Sequence, residues 1–273
     1  MSTTIMADHP AWQESSQGDL VRVVEFTGVV WVAHWVDESL VLRPVGSDAM
    51  DAPQPAYALP IRLPYLPEAA LLADELARLG TVLRLNNPSL WDALLGALLR
   101  KGARSCDAKI VYRRMCSAHG RTVDTFAGPL SLAPTPERIL DLPDEAFAAA
   151  GAALDRDAMR AAAEAYRDHA PYWHTLDVEQ LVTSLATVDH VDHWIAAVAA
   201  ADYRGDFSVY PITDLSLRTL AHKIAPDMQL PSSDHEFATL WRKWAPDRTG
   251  LHTLTQFTLA WGTHARTRTQ TAR

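Results

Sequence analysis

Cysteine is almost missing from this chain: Cys106 and Cys116 are the only two in 273 residues. Two thiols cannot build a four-cysteine zinc or iron–sulfur site and give no disulfide framework, so both are expected as buried thiols. A surplus of positive charge is missing too. With 33 acidic against 25 basic residues the formal net charge is −8, so no overall basic field draws the protein onto nucleic acid and any such contact must be local. No apolar run reaches the length of a membrane span, and the start MSTTIMADHP has neither the basic lead nor the apolar core of a secretion signal. A cytoplasmic protein is expected, without internal repeats or low-complexity tracts.

What is present is ordinary globular material, 48% hydrophobic and 21% charged, in a length that suits one large domain or two of usual size. Residues 1–18 read as a polar, frayed lead-in. From Leu20 the runs VRVVEF, VVWVAHW and LVLRPV are broken at Thr27-Gly28 and at Val36-Asp37-Glu38-Ser39, which predicts a small antiparallel meander. Pro53, Pro55, Pro60, Pro64 and Pro67 then mark an extended connector. The expected division is a β-rich segment with its connector over 1–66, a helical domain over 67–264 and a disordered tail over 265–273.

Past Pro67 nearly everything reads as helix. Asn87-Pro88 opens one helix with Leu90, Trp91, Leu94, Leu95 and Leu98 on a face, and Thr135-Pro136 opens another. Asp177 with Gln180, and Ser233 with Glu236, have capping-box spacing. Gly80, Gly120 and Gly262 read as helix ends. Trp91, Trp241, Trp244 and Trp261 share helical spacing with Leu and Phe, the pattern of packing residues. No nucleophile elbow is present, so a hydrolase triad is set aside.

One stretch stands apart, VDHVDHWIAAVAAADYRGDFSVYPITDLSLR from Val188 to Arg218. It reads as a tight turn, a helix of small residues, a loop in which Pro211 keeps Tyr210 extended, and Asp214 at the mouth of the next helix. The doubled Val-Asp-His places two Asp and two His in a turn, and both types suit zinc, iron or manganese. Adjacent turn residues rarely converge on one ion, so solvent-facing side chains are the better reading and no metal is expected.

This stretch resembles the helix-hairpin-helix base-excision DNA glycosylases, in particular their 3-methyladenine (alkylpurine) glycosylase II branch. In that family a hairpin Leu-Pro-Gly-Val-Gly-Pro-Trp-Thr-Ala joins two helices and is followed by a helix bearing a catalytic Asp. Val188-Asp189-His190-Val191-Asp192-His193-Trp194-Ile195-Ala196 is similar to that hairpin, and Asp214 falls on the acid. GDFSVYP, DLSLRT and LTQFTLAWGTH also look like the branch's phrases, and the resemblance covers roughly Thr81 to His264.

The resemblance implies a mostly α, two-lobed glycosylase-like fold with a small N-terminal antiparallel β element. It implies a monofunctional N-glycosylase acting as a monomer on duplex DNA with a flipped, alkylated base, needing no cofactor. Asp214 would stabilise the sugar cation, and Trp194, Tyr210 and, with less support, Trp173 would line the base pocket. Relatives that also cleave the backbone have a Lys where this chain has Trp194, because a Schiff base needs an amine, so base removal alone is expected.

This sequence departs from the family at both hairpin glycines, where His190 and Asp192 stand. Side chains there hinder close approach to a phosphate, and the acid repels it. Residues expected at DNA are His190 and Asp192 in the hairpin, Arg104, Lys109 and Arg113 in a basic cluster with Lys101, Arg114 and Arg121, and Arg218 beyond the acid. A solvated helix face explains the cluster equally well. Two other readings stay open: the same fold and acid turned to a small nucleoside-like or natural-product substrate, and a catalytically silent relative.

Overall fold

The computed structural model describes residues 2–46, 48, 51–101 and 105–271. In chain order it runs through β1 (Thr3–Ile5), β2 (Gln13–Glu14), β3 (Leu20–Phe26), β4 (Val29–Val36), β5 (Ser39–Pro44) and β6 (Pro55–Ala58). Next come α1 (Ala70–Ala77), β7 (Thr81–Leu85), α2 (Leu90–Arg100), α3 (Ser105–His119), β8 (Thr122–Thr125) and β9 (Gly128–Ser131). The rest is helical: α4 (Pro136–Leu140), α5 (Asp144–Ala150), α6 (Arg156–Trp173), α7 (Val178–Leu185), α8 (His193–Arg204), α9 (Leu215–Ile224), α10 (Asp234–Trp244) and α11 (Arg248–Thr271).

The chain forms two compact units. Residues 1–8, 54–86 and 206–273 make the first, and 9–53 with 87–205 make the second. In the second unit β2, β3, β4 and β5 form an antiparallel sheet in that order, whose last three strands are the predicted meander. Its turns are two-residue connections. Thr27 and Gly28 have φ of 49° and 79°, Asp37 and Glu38 of 48° and 54°, the doubly left-handed geometry that matches the twist of paired strands. Val21, Val23 and Val32 cluster with Leu130 of β9 on one face. Arg22 points the other way, fully buried.

Helices α2, α4 and α7 of this unit start at side-chain caps. Ser89, rather than Asn87, caps α2 by accepting from the Asp92 amide at 3.1 Å. Thr135 accepts from the Arg138 amide at 3.2 Å with Pro136 in the first turn, and Asp177 with Gln180 completes both halves of a capping box at 2.8 and 3.3 Å. Ala196 to Ala201 have essentially no exposure, and this small-residue helix α8 packs closely on leucine-rich α2. Without bulky side chains on α8 the two axes approach closely.

In the first unit β1, β7 and β6 form a sheet in which β7 is central. β1 pairs parallel with β7, Thr3 opposite Thr81 and Ile5 opposite Leu83. Four helices complete this unit, α1, α9, α10 and α11, with Leu217, Phe237, Trp241 and Phe257 fully buried.

Three expectations need correction. Residues 1–18 are not a frayed lead-in, because β1 and β2 pair and Met6 and Trp12 are buried. The chain past Pro67 is not all helix, since β7 and the β8–β9 hairpin interrupt it. Gly262 ends nothing: it lies inside α11, where a side chain would meet Leu220 at 2.6 Å. Of the two thiols, Cys116 is buried and free, with burial first and the charge of Asp92 second pushing its pKa far up; the side chain of Cys106 lies outside the described residues. Residues 265–271 continue α11, and 272–273 lie outside the description.

Candidate functional site

The hairpin between α7 and α8 is built by three short bonds, Thr187 and Val188 amides to the carbonyls of Ser184 and Leu185, and the Val191 amide to the Val188 carbonyl at 3.0 Å. Val191 is buried and anchors the turn. His190, on the first glycine position of the resembled hairpin, takes φ of 66°. The left-handed backbone that glycine adopts freely is therefore kept with a histidine in it.

Asp192, on the second glycine position, has become the cap of α8 and accepts from the Ile195 amide at 2.9 Å. Lys101, at the end of α2, pairs with it at 2.5 Å and lies 5.2 Å above the Trp194 ring. Burial pushes the Asp192 carboxyl up most strongly. Bonds from Lys101 and from the Ile195 and Trp194 amides outweigh it and leave the group below its usual range. The acid expected to repel phosphate is thus neutralised inside its own unit, and Trp194 is half-buried under the same ammonium. Asp189, His190 and His193 are exposed. Among the described residues no three His, Cys, Asp or Glu side chains group so as to hold a metal.

The acid loop belongs to the first unit. Asp206 starts it by capping a short 3-10 turn at Phe207–Val209, and α11 grips it: Arg248 Nη2 reaches Asp206 Oδ2 at 2.6 Å, and the Phe207 amide donates to His252 at 3.0 Å. Burial raises the Asp206 carboxyl. Hydrogen bonds from His252, Ser208 and Arg248 together overcome this and hold it far below the carboxylate range.

Eight residues on, Asp214 caps α9 and accepts from the Ser216 amide at 3.0 Å. Its other oxygen accepts from the Tyr210 hydroxyl at 2.5 Å. Tyr210 is 3% and Asp214 8% exposed. A carboxylate offers about four lone-pair directions, so two donors fix its plane and leave acceptor capacity on both oxygens. Tyr210, expected as a pocket wall, is the residue that orients the acid.

The remaining expected residues fare differently. Trp173 is 1% exposed, its indole N–H donates to Ser184 at 2.9 Å, and it packs on Tyr166 and His169. It is a core residue with no free face for a base. Arg113 turns inward to the Trp12 carbonyl at 2.6 Å, and burial lowers its pKa, so it is not a surface cation. Arg218 pairs with Asp234 at 2.5 Å and bonds the Ser232 carbonyl, which ties α9 to the start of α10. Lys109 is half-buried on α3, and Arg104 lies outside the described residues.

Sequence spacing gave no sign of one buried polar cluster in the second unit. Asp92 accepts from Arg22 at 3.0 Å, Asn87 at 3.1 Å and the Tyr112 hydroxyl at 2.5 Å. Asn87 also donates to Asp202 at 2.9 Å, and His9 lies 3.6 Å from Asp92 and 3.8 Å from Asp202. Burial chiefly, and the Asp92 charge after it, push the Tyr112 pKa well up, so it stays a donor. These residues come from five separate places in the sequence, and the cluster locks β3 to α2, α3 and α8. Removing one member would strand a buried charge.

No family model and no curated protein matches this chain. Solved structures do. MBOgg1 in complex with a low-affinity DNA ligand is 14% identical, with a TM-score of 0.71 over 95% of this chain and 90% of its own. The Clostridium acetobutylicum 8-oxoguanine glycosylase/lyase, bound to duplex DNA containing cytosine opposite 8-oxoG, is 11% identical, with a TM-score of 0.72 over 96% of this chain and 90% of its own. The Archaeoglobus fulgidus 3-methyladenine DNA glycosylase is 15% identical, with a TM-score of 0.69 over 92% of this chain and 89% of its own. The fold is that of the helix-hairpin-helix DNA glycosylases. No helix among the described residues is long and apolar enough to cross a membrane.

Proposed function

We propose that this chain is a monofunctional N-glycosylase that removes alkylated bases from duplex DNA, as a monomer in the cytoplasm and without a cofactor. One observation carries the reading: a nearly buried carboxylate, Asp214, held at a helix N-terminus by the Tyr210 hydroxyl and the Ser216 amide, on the fold of proteins that do this chemistry. As the N-glycosidic bond breaks, its electron pair leaves with the base and positive charge grows on the sugar. A fixed carboxylate lowers that barrier and accepts a hydrogen bond or proton from the water that adds to C1′.

Trp194 supplies an aromatic face for a cationic base. With an indole and not an amine at that position, no Schiff base forms there. Support for alkylated bases comes from the resemblance to the 3-methyladenine branch and from the similarity to the Archaeoglobus fulgidus 3-methyladenine DNA glycosylase, whereas the Clostridium acetobutylicum neighbour is an 8-oxoguanine glycosylase/lyase.

The test is release of 3-methyladenine and 7-methylguanine from methylated duplex DNA. Wild type is expected to release both and Asp214→Asn at least about a hundred-fold more slowly, the scale of losing one electrostatic stabiliser. Equal release by the two proteins refutes the role of Asp214. A second reading, turnover of a free nucleoside-like substrate, is favoured by the side chains at both hairpin glycine positions. Turnover of a free alkylated nucleoside with no salt-dependent duplex binding would select it.

A further inference from the structure

The second unit contains a cavity of about 780 Å³ that shares no residue with the hairpin or the Asp214 loop. Its size lies in the range of small-molecule sites. Trp91 and Tyr166 form an aromatic wall, with ring centroids 5.6 Å apart. The Trp91 N–H is already spent on the Pro134 carbonyl at 2.7 Å; Trp91 is 5% exposed and Tyr166 half-buried, and both line the cavity.

The charges around it do not cancel. Asp92 reaches the cavity but is satisfied by Arg22, Asn87 and Tyr112. Glu25 is paired with Arg121 at 2.5 Å. Arg138, exposed, has no carboxylate partner among the described residues, and its charge falls on His119. His119 has a buried Nδ1 with no hydrogen-bond partner. Burial first and Arg138 second lower its pKa. Arg138 and His119 therefore line the same cavity as Trp91 and Tyr166, and Asn87, Pro88 and Ser89 at the start of α2 line it too. An anion held beside Arg138 and His119 would offset the Arg138 charge that bears on the imidazole.

We propose that this cavity is a nucleotide site, in which a base lies against Trp91 and Tyr166 and its phosphate sits between Arg138 and His119. The same chemistry is presented by a free mononucleotide and by one unit of a single DNA strand. Neither depends on what Asp214 does, so the site stands or falls apart from the glycosylase reading.

The experiment is calorimetric titration of the whole protein with adenosine 5′-monophosphate, adenosine and inorganic phosphate. Adenosine monophosphate is expected to bind, and the other two at least about ten-fold more weakly, since each meets half of the site. Arg138→Ala, at an exposed position, should weaken the nucleotide about ten-fold and leave adenosine unchanged, with an unaltered circular dichroism spectrum. His119→Gln should weaken it less, because the amide still donates. In the wild type the His119 ring resonances should titrate at higher pH once the nucleotide is bound. A short single-stranded oligonucleotide that displaces the nucleotide assigns the site to a DNA strand, and failure to displace assigns it to the free nucleotide. No binding of adenosine monophosphate at millimolar concentration, inorganic phosphate matching it, or Arg138→Ala binding like wild type would each overturn the proposal.

Discussion

The Tyr210 hydroxyl meets Asp214 Oδ2 at 2.5 Å across a loop of three residues, Pro211, Ile212 and Thr213. The pair is buried, and the other carboxylate oxygen is held by a backbone amide. Aromatic ring and acid act as one part: the ring fixes the plane in which the acid can work.

Tyr210→Phe keeps the ring and removes the donor. Stability is expected to fall by about 1–3 kcal/mol, the range for a buried acceptor losing a partner. Base release should slow about ten-fold at saturating DNA with little change in half-saturating concentration, because orientation and not binding is lost. Single-turnover kinetics read both quantities, and a change confined to binding contradicts the orienting role.

His190→Gly should stabilise the protein. A left-handed residue with a Cβ is strained by about 1 kcal/mol relative to glycine, which corresponds to a rise in Tm of about 2–4 °C. A thermal melt that moves downward would show that the exposed imidazole makes a contact worth more than the strain.

Gly80→Ala should have the opposite sign. Gly80 follows α1 with φ of 68°, and an added Cβ would stand 2.0 Å from the Ser2 carbonyl oxygen. Backbone has to move, so a loss of about 2 kcal/mol or more is expected, together with weakened protection of the β1 amides in hydrogen exchange. Unchanged protection there would mean that the turn adapts without disturbing the strand.

Asp206 makes stability depend on acid. Its folded-state pKa is depressed, while in an unfolded chain it titrates near about 3.9. The stabilising contribution is therefore complete above the unfolded value and is lost as pH falls through the folded one. The gap in urea-unfolding free energy between wild type and Asp206→Asn should narrow between about pH 5 and pH 2. A constant gap over that range would sink the idea.

How much of this was legible beforehand depends on how local the signal was. β3 to β5 announced themselves through β-branched runs and two-residue breaks, and the caps at Thr135, Asp177 and Ser233 stand where spacing put them. Asp214 as a helix cap was readable for the same reason. Long-range pairings were not: three residues of β1 carry no periodicity, and only the partner strand 78 positions away makes them a strand. The same holds for side-chain direction. Arg113 looked available from the basic cluster around it and Trp173 from the resemblance, but which way each points is set by Trp12 and Ser184, residues that spacing does not connect to them. Lys101 was counted as a cation for DNA, and it is the counter-ion of Asp192.

The arrangement of the first unit also fixes an order of events during synthesis. Its sheet needs residues 3–5, 55–58 and 81–85, and its helices α9, α10 and α11 come from beyond residue 206. Everything the second unit requires has been synthesised by residue 205. The second unit is therefore free to fold while the first still waits for residues 206–273, and β1, the earliest strand made, spends the longest time without its finished surroundings.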